Sequence, residues 1–232
     1  MNKIGIIGAM DEEIEIIKDK MTIDKIQQVA GMEFYLGKLE DREVVLVRCG
    51  IGKVNAAVCT QILISKFSVS MVINTGVAGA IYDELNIGDI VISKDVIQHD
   101  FDATAFGYKL GEIPRLDEYI FKGDERLIEI TKQVTKEQLK GHKAFVGRIL
   151  SGDVFVASAE KKDSLWKNFE GYCAEMEGAA IGHTCYLNNI PFVILRAMSD
   201  KADGSAHVNF NEFVHKAARN SANIVQEIVK LI

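Results

Sequence analysis

The stretch AEMEGAA, residues 174–180, sets two carboxylates, Glu175 and Glu177, on either side of Met176 and then runs on through Ala179, Ala180 and Ile181. Ionised carboxylates are almost never buried without a partner. An apolar run that carries two of them either turns both to water or points one into a site that uses it. Two further acids stand in comparable places: Glu13 follows the apolar KIGIIGAM, and Asp200 follows Ser199 at the end of PFVILRAM. Each has a plainer use. Glu13 suits the positive end of a helix dipole, Glu177 can face solvent, and Asp200 can cap a helix or close a turn. Taken together, three acids at strand ends beside apolar or glycine-rich sequence suit cleavage of a glycosidic bond. One protonated acid activates the leaving group, one ionised acid activates water, and negative surroundings favour a cationic, sugar-like transition state. A metal site is the rival use of three acids. With no histidine among them and apolar neighbours around them, it ranks lower.

The elements that must position these acids follow from hydrophobic patterning. KIGIIGAM is a short, continuously apolar run and predicts a buried strand feeding a turn. DEEIEIIKDKM after it predicts a helix with acids in its first turn. MEFYLGKLEDREVVLVRCG predicts a hairpin with Glu40, Asp41 and Arg42 at its tip. GIGKVNAAVCTQILISK predicts a helix, and VSMVINTG a second buried strand with VAGA as its glycine-rich exit. IGDIVISKDVIQHDFD and HKAFVGRILSGD predict further strands, and SAEKKDSLWKNF a helix. Residues 102–124, with Pro114 and several aromatics, predict a long loop, a length usually functional or interfacial. Residues 174–180 predict a strand-to-helix transition, and PFVILRAMSDKAD a strand ending at Ser199 and Asp200. The closing segment spaces Phe210, Phe213, Val214, Ala217, Ala218, Ile224, Val225 and Ile228 as one long amphipathic helix. Interleaved strands and helices with no repeat or linker predict one α/β domain over residues 1–232, a mixed central sheet covered by helices, with ligand bound at strand ends.

Three glycine turns are candidate phosphate cradles. GIIGAM is neither GxGxxG nor a P-loop, and the helix after it opens Asp11-Glu12-Glu13, three carboxylates that repel phosphate and compete for the same amide donors. RCGIGKVNA places Arg48 and Lys53 beside two glycines and could hold an oxyanion, although a tight strand-to-helix turn is the favoured reading. NTGVAGA has no cation; its glycines either admit a flat ligand close to the backbone or make a tight turn.

Bulk properties set the frame. The chain has 232 residues, 48% hydrophobic and 26% charged, enough apolar material for a sizeable core. Net charge is −6 and no basic stripe appears, which argues against a nucleic-acid partner. Cys49, Cys59, Cys173 and Cys185 form no CxxC and no zinc-ligand spacing. Scattered cysteines in apolar contexts predict reduced, buried thiols and a cytoplasmic protein. The opening MNKIGIIGAMDEE has only a few apolar residues before its acids, which predicts neither a secretory leader nor a membrane span, and no later stretch reaches the ~20 apolar residues a span needs.

The ordered motifs KIGIIGAMDEE, GIGKVNAA, VINTGVAG, GDIVIS, TAFGY, SGDVF, AEMEGAAI and RAMSDKAD, spread over nearly the whole chain, are similar to those of the 5′-methylthioadenosine/S-adenosylhomocysteine nucleosidases within the nucleoside phosphorylase superfamily. The resemblance implies a three-layer α/β sandwich and a homodimer. It implies hydrolysis of the adenine–ribose bond of 5′-methylthioadenosine, S-adenosylhomocysteine and also 5′-deoxyadenosine, with no metal and no cofactor. By position, Glu13 matches the acid that activates water and Asp200 the acid that protonates adenine N7. Glu177 matches the residue that holds the ribose hydroxyls, with Met176 packed on the sugar and Glu175 at the rim or in a structural role. Phe155 would stack on adenine and the backbone of Val156 read the base edge. Val77, Ala78 and Gly79 fall beside the ligand, and Ser199 and Arg196 would support the acidic end. Met10, Ile51 and Phe210 would line a 5′-thio pocket, and Phe106 and Pro114 would reach the partner subunit's pocket. One departure is visible: Val77 stands where some members carry serine, so a polar contact there is not carried over. The rivals are a purine nucleoside phosphorylase that uses phosphate, with Arg48 or Lys53 as anion partners, and a non-catalytic nucleoside-binding protein.

Overall fold

A strand apolar along its whole length must be covered on both faces, and the computed structural model, which describes residues 3–204 and 206–232, shows how. The strands β1 (Ile4–Gly8), β5 (Met71–Ala80) and β10 (Phe192–Asp200) are buried almost end to end. Alternate residues along them feed two separate cores. Ile4, Ile6, Ile73 and Leu195 pack with Ile14 and Ile17 of α1 (Asp11–Lys20), Leu127 of α3 (Glu125–Gln138) and Val214, Ala218 and Val225 of α6 (Ala206–Leu231). Ile7, Val72 and Ile194 point the other way, onto Ala56, Cys59 and Leu63 of α2 (Lys53–Ser65) and Ala179, Ile181 and Cys185 of α5 (Gly178–Asn188). The period of two in the strand thus sorts residues between two helical layers. Each such side chain contributes about 1.5–3 kcal/mol on burial, so both layers are needed to hold the central strands.

The remaining strands are β2 (Thr22–Val29), β3 (Met32–Leu39), β4 (Arg42–Arg48), β6 (Ile90–Gln98), β7 (Phe121–Lys122), β8 (Ala144–Ser151) and β9 (Cys173–Glu175), and α4 (Ala159–Phe169) covers a smaller third cluster. The order is β10-β6-β8-β9-β5-β1-β4-β3-β2, with β7 on β6 and a further pairing of β10 with β5. The sheet is mixed, as expected, and flanked by helices on both faces. It adds a feature that periodicity cannot report: β5, β10, β6, β8 and β9 close into a circuit, and β1, β4, β3 and β2 extend from it. Parallel pairing of β5 with β1 and β10 places the C-terminal ends of these three strands together.

Local chemistry sets the boundaries. The β3–β4 turn uses Glu40 and Asp41, both at positive φ (49° and 62°), the handedness a tight hairpin requires. Asp124 caps α3 by accepting from the Leu127 amide at 2.9 Å, and Ser158 caps α4 through the Lys161 amide at 3.2 Å. The VAGA segment is a correction. It is not an exit loop but the last part of β5, because Gly79 and Ala80 pair with Ala174 and Cys173 while Gly79 also faces Asp200. The loop of residues 102–124 contains a 3₁₀ turn (Thr104–Phe106) and β7. Three elements, β2, α3 and the short β7 inside that loop, are not anticipated from the sequence.

Candidate active site

The three acids come from three strand ends. β1 ends at Gly8 and the chain turns through Ala9 and Met10 into α1, whose first turn carries Glu13. The Glu13 carboxylate folds back over that turn. Oε2 accepts from the amides of Ala9 (2.6 Å) and Met10 (3.0 Å), and Oε1 accepts from the amide of Val77 on β5 (3.0 Å). The seat exists because residue 76 is glycine: a Cβ there would lie 2.5 Å from Oε1. Burial pushes the Glu13 carboxyl up from 4.5, opposed by the Arg196 guanidinium and by those three amides.

Asp200 sits where β10 slips register against β5 between Met198 and Asp200, a bulge-like irregularity that re-aims the side chain. Its Oδ1 accepts from the Ala202 amide at 2.8 Å and its Oδ2 from the Ser199 hydroxyl at 2.9 Å. A Cβ on residue 79 would lie 2.7 Å from Oδ1, so Gly79 gives this carboxyl its room. Burial raises its pKa, and only the Ala202 amide and the Ser199 hydroxyl work against that.

The two acids of AEMEGAA divide. Glu175, at the end of β9, turns inward and accepts from the amides of Glu177 and Gly178, from the Ser151 hydroxyl and from Arg196 Nε at 3.2 Å and Nη2. It therefore caps α5 and forms a buried ion pair at once. Glu177 stands at the N-cap position without capping; its Oε1 accepts from the Gly52 amide at 2.8 Å, and Arg196 Nη2 lies 3.9 Å from Oε2. Burial, then the charge of Glu175, raises the Glu177 pKa from 4.5 to about 8. Arg196 is 1% exposed and also donates from Nη2 to Asn74 Oδ1 at 2.6 Å. Burial works against its charge, but Glu175, Glu13 and Glu177 hold it protonated.

These groups meet at a cavity of about 410 Å³. Glu13, Glu177 and Asp200 all open onto it. Val77, Ala78, Gly79 and Ser199 form one wall, and Met176 and Glu175 another. Met10, Ile51, Phe155 and Phe210 supply its apolar part, with the Phe155 and Phe210 rings edge to face at 5.9 Å. Four residues proposed for binding do not line it. Arg196 lies behind the wall, among Glu13, Glu175 and Glu177 and not at the Asp200 end. Val156 is buried in the small core under α4. Phe106 and Pro114 lie on the loop of residues 102–124, Phe106 84% exposed. Sequence reasoning missed Ala9 and Ala174, which line the cavity, and Gly52, Asn74, Gly76 and Ser151, which hold the charged groups. All six stand inside the motifs named above, but alanine, glycine, serine and asparagine there do not by type signal chemistry.

The two cations offered as anion partners are committed elsewhere: Arg48 Nε to Asp11 at 3.1 Å, and Lys53 Nζ to Asp100 at 2.6 Å. No group of three or more His, Cys, Asp or Glu able to hold a metal occurs among the described residues. All four cysteines are free and buried. A cleft of about 420 Å³ between α3 and β8 is lined by Lys132, Lys136 and Lys143 and holds no carboxylate, so the chemistry belongs to the acid-lined cavity.

A family model described as "Phosphorylase superfamily" matches residues 3–230. The chain belongs to the phosphorylase superfamily. Among its superfamily relatives, the 5′-methylthioadenosine/S-adenosylhomocysteine nucleosidase of Staphylococcus haemolyticus (strain JCSC1435) is 46% identical over 230 residues, covering 99% of this chain and 100% of the relative. The 5′-methylthioadenosine/S-adenosylhomocysteine nucleosidase of Neisseria meningitidis, solved in complex with methylthio-immucillin-A, superposes with a TM-score of 0.96 at 42% identity over 100% of both chains. The futalosine hydrolase of Helicobacter pylori strain 26695 superposes with a TM-score of 0.94 at 35% identity, over 100% of this chain and 98% of that one. The superfamily fold is therefore shared along the full length, and the three acids lie where its strands converge.

Proposed function

We propose that this chain hydrolyses the N-glycosidic bond of 5′-methylthioadenosine and S-adenosylhomocysteine, and of 5′-deoxyadenosine, releasing adenine and the 5′-substituted ribose. The observation that carries the reading is one cavity that joins two buried carboxyls with unequal hydrogen-bond and charge support. Both are pushed up by burial, but Glu13 is countered by three amides and a guanidinium, whereas Asp200 is countered by one amide and one hydroxyl. The carboxyl with more donors and a cation beside it is the better placed to ionise, which is the basis on which we assign the base and the acid. Glu13 is the group that loses its proton and polarises water. Asp200 is the group that keeps its proton and gives it to N7, since adenine leaves poorly as an anion. Glu177, with one oxygen on the Gly52 amide, has lone pairs left for the ribose hydroxyls. Ser199 orients Asp200 and Arg196 supports the Glu13 and Glu177 end. Phe155 stacks on the base, the apolar Met10, Ile51 and Phe210 receive the 5′ substituent, and Val156, whose side chain is packed in the small core, has only its backbone to offer the base edge. Desolvating a phosphate against those three would be expensive, so 5′-phosphates bind poorly.

Phosphate as the attacking group is disfavoured. The amides at the start of α1 are taken by Glu13, and Arg48 and Lys53 are paired with acids. A homodimer is supported by exposed apolar residues: Phe106, Val54 and Val58, together with the half-exposed cavity residues Ile51 and Phe155. Phe106 and Pro114 would then reach into the partner's cavity. A cytoplasmic location is supported by the free thiols, and no described helix is long and apolar enough to cross a membrane.

The deciding experiment is product analysis with 5′-methylthioadenosine in phosphate-free buffer, with futalosine as a second substrate. Free adenine with undiminished rate is expected. Glu13→Gln and Asp200→Asn should each lower kcat by about 10²–10⁴-fold, the range of a lost general acid or base, with unchanged circular dichroism. Turnover that requires added phosphate, or near-normal rates in either variant, overturns the reading.

A further inference from the structure

Lys53, in the RCGIGKVNA turn, points into a polar clasp and not towards the cavity. Its Nζ donates to Asp100 Oδ1 at 2.6 Å and to Gln98 Oε1 at 3.2 Å, and its backbone amide donates to Asp153 Oδ1 at 2.8 Å. The second oxygen of Asp100 accepts from the Asp153 amide at 2.9 Å. Three residues from three segments thus form a closed loop of charge-assisted hydrogen bonds: the start of α2, the turn after β6 and the segment after β8. Such bonds are about twice as strong as neutral ones. Burial opposes the charge on Asp100, but the Lys53 ammonium and the Asp153 amide outweigh it and hold the carboxyl below its ordinary 3.8.

The two segments it joins both reach the cavity. Immediately before Lys53, Ile51 lines the apolar part and the Gly52 amide holds Glu177. Two residues after Asp153, Phe155 lines the cavity as well. The hydrogen bonds between these segments run through Lys53, Asp100 and Asp153. The fit is close: Gly52 has φ +98°, and a Cβ there would lie 3.1 Å from Asp153 Oδ1.

We propose that Lys53, Asp100 and Asp153 are positioning residues which fix the Ile51–Gly52 turn against the Asp153–Phe155 segment, and so set the distance between the group that holds the ribose and the ring that holds the base. The inference rests on the nucleosidase reading of the cavity. None of the three touches substrate. The clasp acts through Gly52 on Glu177 and through the chain on Phe155.

The test compares Lys53→Met, Lys53→Arg and Asp100→Asn with wild type, using adenine release from 5′-methylthioadenosine and amide hydrogen exchange on the unliganded protein. Wild-type adenine release establishes the nucleosidase reading independently; if it fails, exchange still decides the clasp. In Lys53→Met and Asp100→Asn, amides of residues 51–54 and 152–155 should lose protection together. KM should rise about tenfold, the loss expected for one hydrogen bond to a charged group, with kcat within about threefold. Lys53→Arg keeps the charge and should recover most of both. Exchange that rises at residues 51–54 alone, an unchanged KM, a fall in kcat at constant KM, or an arginine variant as poor as the methionine one overturns the proposal. Should Lys53→Met fail to fold, the asparagine and arginine variants carry the same comparison.

Discussion

One guanidinium, Arg196, serves three carboxylates, and that imbalance sets what single residues do here. Glu175 is held by amides, a hydroxyl and the guanidinium, so removing the cation leaves a buried carboxylate without its counter-ion. Arg196→Met should destabilise the protein by about 3–5 kcal/mol, the cost of breaking a buried pair from one side, measured by urea unfolding; a loss under 1 kcal/mol would show that the pair does not hold the fold. Glu177 predicts a pH dependence. Its folded pKa is raised from 4.5 to about 8, so the folded state binds the extra proton in that window. Its stabilising contribution is complete below about pH 4.5 and is lost as pH rises through about 8. Glu13 and Asp200 are raised too and act with the same sign. The unliganded protein should melt at progressively lower temperature from pH 5 to pH 8, and Glu177→Gln should flatten that slope; a slope identical to wild type would remove Glu177 as its source. At this scale the sequence was informative because an acid inside an apolar run is anomalous. It could not show which neighbour satisfies each acid. Arg196 stands in a strand where every residue is buried, so no alternation reveals that it faces Glu13 and not Asp200.

At the scale of elements, the site depends on strand ends that lack side chains. Gly76 and Gly79 lie on β5, with the Glu13 and Asp200 carboxylates seated against them. Gly79→Ala should displace Asp200 by a fraction of an ångström to an ångström, and misplacement on that scale costs about 10²-fold in rate. The prediction is a fall in kcat near that size with a melting temperature within a few degrees of wild type; full activity would mean that the acid reaches N7 from elsewhere. The glycines of NTGVAGA left two readings open, close approach of a flat ligand to the backbone or a tight turn, with VAGA as the exit from the strand. Here they mark a strand that carboxylates approach closely, and the deciding information, pairing with β9 and β10, is non-local. β2 was missed for a related reason: it is an edge strand with mixed exposure and no clean alternation. In α3 two of the buried positions are Thr131 and Thr135, which break the apolar stripe that marks a helix. Its Asp124 cap was the signal that could have found it. The long apolar strands and the closing helix were legible because burial on both faces, or a period near 3.6, is written directly in their composition.

For the whole molecule, the interleaving of strands and helices announced a covered mixed sheet, but closure of five strands into a circuit depends on a β10–β5 pairing between residues more than a hundred positions apart. Subunit assembly belongs to this scale. Phe106 and Val54, 84% and 74% exposed, are large apolar surface for a free monomer. Sedimentation should give a species of twice the 25.7 kDa chain mass, and Phe106→Ala should raise KM for 5′-methylthioadenosine several-fold while leaving the dimer intact. A monomer with full activity would separate the cavity from any partner. The Glu13 side chain, lodged on the amides that open α1, has a last consequence at this scale. An inorganic acceptor would leave a sugar ester nearly isoenergetic with the nucleoside, and the step could run in either direction. On the proposed reading, a carboxylate in that seat leaves solvent as the acceptor, in such excess that release of the purine runs one way, a drain on whatever pool of thionucleosides the protein meets.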